Sequence, residues 1–199
     1  GGGPIVDLGS HQLDIYTWFL GTPPKSVQAS GGTDYYDKST HEWYDTVLAT
    51  FEFDTPDGTA RAFYQTITTN SNQGYYESFM GDEGALIISE SALRNGVYRE
   101  RSAPDWEKWV KKGYMRSPQE EEQAQQTAVL DVRETVAPPK FELPIEFNDP
   151  YHKPHLENFF DAIRGKAELN CPGDVGYETA VMVLKVNEAV ETGRKIEYD

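Results

Sequence analysis

Asp7, His11 and Asp14 are the residues whose types and spacing suit chemistry. They lie in the opening stretch Gly1-Gly2-Gly3-Pro4-Ile5-Val6-Asp7-Leu8-Gly9-Ser10-His11-Gln12-Leu13-Asp14. An imidazole flanked by carboxylates can take a proton from a substrate hydroxyl, while one carboxylate fixes its tautomer or hydrogen-bonds the substrate. Read as a helix N-cap, Ser10 places His11 at the first helical position, where the helix dipole and free amides disfavour the imidazolium. A neutral base near pH 7 is therefore expected. The same residue types also serve as plain helix caps, satisfying backbone donors at a helix start. One imidazole and two carboxylates would also suit zinc, manganese or iron. The remaining histidines, His41, His152 and His155, sit at no recognised ligand spacing, so no metal is expected.

The elements that must hold these groups follow from periodicity. Leu13, Tyr16, Phe19 and Leu20 recur at helical spacing, and Gly21 followed by Pro23-Pro24 ends the run, which predicts a helix over 10–20. From Ser26 the period becomes two, predicting strands at 26–32, 43–53 and 59–69, the last two joined by the turn Asp54-Thr55-Pro56-Asp57-Gly58. Residues 75–89 read as a strand pair around Gly81-Asp82-Glu83-Gly84, making at least five antiparallel neighbours. Residues from about 94 to 140 form a polar, proline-punctuated insert with one short helix and the acidic run Glu120-Glu121-Glu122, mostly facing solvent. His155, Leu156, Phe159, Phe160 and Ile163 predict an amphipathic helix ending at Gly165. After Cys171-Pro172-Gly173, Asp174 or a neighbour caps a second helix, with Ala180, Val183, Leu184, Val186, Asn187 and Val190 as its packed set, stopping at Gly193. Ile196-Glu197-Tyr198 suit a closing strand. Strands in a block followed by helices predict an α+β fold: a large, open, predominantly antiparallel sheet with helices packed on one face, in a single domain over 1–199.

Composition narrows the function classes. With 33 acidic against 18 basic side chains the net charge is -15, which repels nucleic acid and anionic membrane surfaces. A single cysteine, Cys171, forms no internal disulfide and has no histidine near it in sequence to make it a nucleophile. No apolar run reaches membrane-spanning length, and a cytoplasmic location is expected. The aromatics Trp43, Tyr44, Tyr64, Tyr75 and Tyr76 suit stacking on sugar rings, or equally core and interface packing. Tyr64 and Tyr75 are taken as candidate substrate contacts, with Asp14 as a supporting residue. A two-residue period points Trp43 and Tyr44 to opposite faces. An aromatic open sheet face predicts burial against a second copy, hence a homo-oligomer.

Several motifs in order resemble one family. Gly-Gly-x-x-x-Asp-x-Gly-x-His-x-x-Asp from Gly2 to Asp14, Asp45-Thr46-Val47-Leu48-Ala49-Thr50-Phe51-Glu52-Phe53, Gly81-Asp82-Glu83-Gly84-Ala85-Leu86 and His155-Leu156-Glu157-Asn158-Phe159-Phe160-Asp161-Ala162-Ile163-Arg164-Gly165-Lys166 look like the C-terminal domain of the Gfo/Idh/MocA oxidoreductases, relatives of glucose-fructose oxidoreductase and inositol dehydrogenase. The resemblance implies a dihydrodipicolinate reductase-like C-terminal domain that holds substrate, covers the nicotinamide and mediates oligomerisation. It also implies an N-terminal Rossmann domain that binds NAD or NADP and carries a catalytic lysine in a Glu-Lys-Pro motif. No Gly-x-Gly-x-x-Gly follows a strand here, and Gly1-Gly2-Gly3-Pro4 has no strand before it. The chain is accordingly expected to be part of a longer, truncated polypeptide, inactive alone and binding no cofactor by itself. The family's Asp-x-x-x-His pair maps onto Asp7 and His11 and its following helix acid onto Asp14. The function so implied is the substrate-binding and oligomerisation domain of an NAD(P)-dependent oxidoreductase acting on a sugar, polyol or related hydroxylated substrate. The alternative is a non-catalytic carbohydrate-binding or dimerisation module.

Overall fold

A computed structural model of the chain describes residues 1–72, 74–118 and 138–198. The chain divides into two compact units, Gly1–Gln73 with Leu156–Asp199, and Gly74–His155. The acidic run Glu120-Glu121-Glu122 lies outside the described residues.

The first unit is built on a four-stranded antiparallel sheet. Its strands are β1 (Ser26–Gly32), β2 (Thr46–Thr55), β3 (Gly58–Ile67) and β8 (Ile196–Glu197), in the order β3-β2-β1-β8. In β2 the period-two pattern sends Val47, Ala49, Phe51 and Phe53 inward, while Leu48, Thr50 and Asp54 face out. The inward row, with Val27, meets two helices on the same face. Helix α1 (Pro4–Leu20) contributes Ile5 and Leu13, and helix α4 (Gly173–Thr192) contributes Met182, Val183, Val186 and Ala189. Full burial of each large aliphatic or aromatic side chain is worth about 1.5–3 kcal/mol, so this face supplies most of what holds the unit together. The opposite face is open and leaves Leu48, Phe63 and Ile67 exposed. Tyr198 closes the sheet, its half-buried side chain donating its hydroxyl to the Met182 carbonyl at 2.8 Å, and desolvation pushes its ionisation well above the usual range.

Helix α1 starts earlier than the sequence predicts. Gly3 is its N-cap, with φ +78°, and Pro4 occupies the first turn, where its missing N–H leaves nothing unsatisfied. Ser10 is therefore a mid-helix residue rather than the cap, and its hydroxyl donates back to the Asp7 carbonyl at 2.9 Å. Gly9 is buried inside the helix, where a Cβ would sit 3.0 Å from Ile5 Cδ1 and 3.4 Å from Tyr64 Cε1. The C-terminus falls where expected, with left-handed Gly21 donating to the Thr17 carbonyl at 2.8 Å.

Helix α4 begins at Gly173 with Pro172 at the N-cap and no side-chain cap, so Asp174 is a first-turn residue and not the cap. Its buried stripe is Thr179, Met182, Val183, Val186 and Ala189; Ala180 and Leu184 from the expected set are exposed, because the helix carries apolar residues on two stripes and only one meets the sheet. Helix α3 (His152–Ile163) starts three residues before the expected His155 and has no buried residue.

Strand β2 begins at Thr46 instead of residue 43, and the cause is Asp45. Its fully buried carboxylate accepts the amides of Asp34 (3.2 Å), Tyr35 (2.9 Å) and Tyr36 (3.0 Å) and the Thr46 hydroxyl (3.1 Å). The chain just before it is thereby folded into the β1–β2 loop rather than continuing the ladder. The β2–β3 hairpin closes over Pro56-Asp57, with Thr55 opposite Gly58.

The second unit holds another antiparallel sheet, β4 (Glu77–Met80), β5 (Gly84–Ile88), β6 (Gly96–Arg99) and β7 (Lys140–Phe141), in the order β4-β5-β6-β7, with the short helix α2 (Glu107–Lys111). The fold class is the α+β class with open antiparallel sheets. Among the described residues, however, the run of at least five neighbouring strands is divided into two sheets of four. The polar insert also contributes β6 and β7, which the sequence hides because four- and two-residue strands are too short to display a period. Trp106 packs on Phe141 with ring centroids 5.7 Å apart, and Gly84 lies beneath it, where a Cβ would come within 2.7 Å of the indole. No helix among the described residues is long and apolar enough to cross a membrane.

Asp45 gives this fold a measurable acid dependence. Burial raises its carboxyl pKa, but the three amides and the Thr46 hydroxyl outweigh that and hold it down to about 2. A carboxylate with a lowered folded pKa stabilises the native state above its unfolded value of about 3.9, and that contribution is lost as pH falls towards 2. Thermal melts of Asp45→Asn are expected to show a Tm several degrees lower at pH 6 and a shallower loss of Tm between pH 4 and 2 than the parent chain.

Candidate functional site

Residues of α1 that are four apart share a helix face, so Asp7 and His11 project side by side. Both are exposed, and both line a cleft of about 640 Å³ together with Gly1, Gly3, Trp43 and Thr68. Three parts of the first unit converge here: the α1 face, the β1–β2 loop that carries Trp43, and the residue after β3, Thr68.

Trp43 reaches the cleft because its loop is tied to Asp45. The Thr33 hydroxyl donates to the Trp43 carbonyl at 2.9 Å, and the Asp45 amide donates to the Gly32 carbonyl at 3.0 Å. The Asp45 carbonyl in turn accepts the Thr68 amide (3.0 Å) and hydroxyl (3.3 Å). One residue therefore fixes two walls of the cleft. The indole lies along the glycine stretch: a Cβ on Gly3 would meet Trp43 Cβ at 2.7 Å, and one on Gly1 would meet Cζ2 at 2.8 Å. Only glycine allows that approach. Behind the same stretch, Asn187 of α4 donates from Nδ2 to the Gly2 carbonyl at 2.7 Å.

The other sequence candidates lie elsewhere. Asp14 is not at the start of the helix and does not line the cleft; its Oδ1 accepts the Thr179 hydroxyl at 2.8 Å, bracing α1 against α4. Tyr64 packs against the core, and its hydroxyl donates to Gln12 Oε1 at 3.0 Å. Tyr75 belongs to the second unit, where its hydroxyl donates to Glu90; that bond, with burial, pushes its pKa up to about 12. The adjacent pair Trp43 and Tyr44 does split, Trp43 to the cleft and Tyr44 to the core.

The earlier helix start also changes the electrostatics. His11 sits well inside α1 rather than at its first position, so the dipole and free amides of the helix N-terminus do not bear on it. What remains is local: an exposed imidazole one turn from a carboxylate, able to exchange a proton with a hydroxyl placed in the cleft. Asp7, in the first turn, carries the favourable interaction with the dipole instead. Among the described residues no three His, Cys, Asp or Glu side chains are grouped to hold a metal ion.

Sequence reading singled out Asp7 and His11 but missed Thr68, Asn187 and the organising role of Asp45. Asn187 reads as one more member of an apolar helical set, and only the buried Gly2 carbonyl facing it reveals its task. Replacing it with leucine keeps the bulk but leaves that carbonyl unpaired, at a cost of about 1–3 kcal/mol. Chemical denaturation of Asn187→Leu is expected to register a loss of that size, and an unchanged midpoint would mean that the bond does not hold the stretch.

A family model described as "Oxidoreductase family, C-terminal alpha/beta domain", that of the Gfo/Idh/MocA proteins, matches residues 1–198. Among solved structures, the chain resembles an NAD-binding protein from Listeria innocua (TM-score 0.63, 21% identity), covering 98% of this chain and 51% of that one. It also resembles an aldose-aldose oxidoreductase from Caulobacter crescentus complexed with glycerol (TM-score 0.63, 17% identity; 96% and 46% covered). A third is the WlbA dehydrogenase from Bordetella pertussis in complex with NADH and UDP-GlcNAcA (TM-score 0.60, 16% identity; 98% and 45% covered). At these identities the likeness establishes the fold, and the chain spans about half the length of these relatives. No curated protein sequence matches it.

Proposed function

This chain belongs to the Gfo/Idh/MocA oxidoreductase family as its C-terminal alpha/beta domain, and on that premise we propose that it is the substrate-binding and oligomerisation domain of an NAD(P)-dependent oxidoreductase acting on a sugar, polyol or related hydroxylated molecule. The observation that carries this reading is the pairing of Asp7 with His11 on one wall of a cleft. Solved relatives described as NAD-binding and as bound to NADH support a nicotinamide cofactor for the whole protein. A relative complexed with glycerol and another with a nucleotide sugar support a hydroxylated substrate.

The cleft itself does not fit a dinucleotide's pyrophosphate. Among the described residues that line it there is no Lys or Arg, and Asp7 stands in the first turn of α1 where a phosphate would have to sit. Cofactor binding is therefore assigned to the remainder of such a protein, and the isolated chain is proposed to be inactive. A nicotinamide bound there supplies the hydride acceptor. The residues of this chain handle the proton. His11 accepts it from the substrate hydroxyl, and Asp7, on the next turn, orients the imidazole or accepts a second hydroxyl. Asp14 supports the pair from behind by holding α1 against α4.

The open face of the first sheet supports the oligomerisation part of the reading. Leu48, Phe63 and Ile67 stand exposed on it, and a second copy is the simplest cover for such a patch. Sedimentation analysis of Phe63→Glu is expected to show dissociation to monomers; an unchanged sedimentation coefficient would remove this face from the interface.

In the full-length enzyme, His11→Ala is expected to lower kcat by about 100- to 10,000-fold, the range for a positioned general base, with KM changed little. Turnover that survived the substitution would leave the non-catalytic binding module as the better account. Micromolar binding of NADH to the 199-residue chain alone would contradict the assignment of the cofactor to the remainder.

A further inference from the structure

Helix α3 gathers its apolar side chains on one stripe and turns that stripe outward. Leu156, Phe159, Phe160 and Ile163 recur at i, i+3, i+4 and i+7, so they share one face, and each is between 44% and 68% exposed. The positions of α3 that the fold partly covers are Asn158, Asp161 and Ala162, which lie on the opposite face. A surface helix ordinarily does the reverse and packs its apolar stripe inward. Phe159 and Phe160 meet edge to face at 5.5 Å, and the Arg164 guanidinium lies 5.7 Å from the Phe160 ring.

The helix is built to hold this attitude. Twelve residues make a marginal helix in isolation, and α3 is fixed from its polar side. Asn158 Nδ2 donates to the Glu168 carbonyl at 2.8 Å, and its Oδ1 accepts the Asn170 amide at 3.1 Å, which folds the following loop back against that side. Gly165, at φ +70°, ends the helix, with the Lys166 amide donating to the Asp161 carbonyl at 2.8 Å. The stripe is therefore a preformed surface rather than a frayed end.

Its size points to what covers it. At about 1.5 Å per residue and about 10 Å across, one face of such a helix offers roughly 200 Å². A stable interface between separate chains needs about 800 Å² on each partner. A contact inside one polypeptide has no such threshold, because the tether keeps the two parts at high effective concentration. This chain matches the family's C-terminal domain and covers 45% to 51% of the solved relatives, so in proteins of that kind about as many residues again lie outside the domain. The sheet face proposed for self-association is opposite the one on which α4 packs, and α3 leads directly into α4.

We propose that the apolar stripe of α3 is the seat of the remaining half of the same polypeptide, which lays an apolar surface across Leu156, Phe159, Phe160 and Ile163. This goes beyond the proposed function and takes from it only the existence of that remaining half. The stripe has no part in proton transfer.

Hydrogen–deuterium exchange of the full-length protein tests the proposal. In Phe159→Ala/Ile163→Ala the α3 amides are expected to exchange at least about tenfold faster than in the parent, although alanine favours the helix. A segment of the remaining half should lose protection in the same variant, at an unchanged sedimentation coefficient. Phe159→Leu/Ile163→Leu, which keeps the stripe apolar, should retain the parent's protection in both places. Ile163→Ala alone gives the same reading in milder form should the double variant fail to fold. Equal α3 exchange in the parent and the alanine variants would overturn the proposal, since nothing in the full-length protein then covers the stripe. So would a variant that dissociates the oligomer and leaves the remaining half unchanged, since the occupant is then a second copy. The proposed function fails separately. If His11→Ala abolishes turnover but the alanine variants leave the remaining half unchanged, the docking falls and the oxidoreductase reading stands. If protection of both parts follows the stripe but His11→Ala leaves turnover intact, the docking stands and the general base falls.

Discussion

The buried carboxylate of Asp45 is the constraint on which the site depends. An unpaired buried charge would be strongly destabilising, and here it is matched by three backbone amides and a hydroxyl, all within 3.2 Å. That matching forces the β1–β2 connection to wrap around residue 45, ends the β2 ladder at Thr46, and carries Trp43 out to the cleft. Through its own backbone the same residue pins Gly32 at the end of β1 and Thr68 just past β3. A single residue, through its side chain and its backbone together, thus ties three strand ends to the two walls of the cleft that carry Trp43 and Thr68.

The facing wall has a different basis. It is the first turns of α1, and what positions them is close packing rather than charge. Gly2 and Gly3 take positive φ values that bring the chain into the helix between Trp43 and Val6, and Asn187 of α4 holds the Gly2 carbonyl from behind. Further along, the hydroxyl of Thr179 bonds Asp14, and Gly9 lets the helix settle against Tyr64. The two helices that build the core are therefore also the two that set the pitch of the Asp7 and His11 side chains. Stability and site geometry in the first unit share the same contacts.

Much of this was legible in the sequence, and the misses have definite physical causes. The period-two runs of β1, β2 and β3, the left-handed glycines closing α1 and α4, and the Asp7-His11 spacing are all local signals. The strands and helix ends stand where those signals put them, and the earlier start of α1 sets Asp7 and His11 on one helix face. α1 starts before the Ser10 cap that the sequence offers because Pro4 suits the first turn and Gly9, a poor helix former, is needed against Tyr64. The partner of Asp14, Thr179, is distant in sequence and therefore invisible to any local window. β6 and β7, too short to display a period, pair with each other across more than forty residues of sequence and leave no local trace either. The role of Asp45 could not be read locally either, because an aspartate before a strand looks like turn chemistry until the loop's amides are seen to converge on it.

The central claim is that the His11 imidazole, in the cleft walled by Trp43 and Asp7, removes the substrate's hydroxyl proton. Chemical rescue tests it most directly: turnover of His11→Ala in the full-length enzyme, measured with NAD or NADP against rising concentrations of free imidazole. The account predicts activity restored in proportion to the neutral imidazole present, saturating as the vacated space fills. An inactive variant that imidazole and its small analogues fail to rescue at any pH, while the protein still binds substrate and cofactor normally, would contradict it.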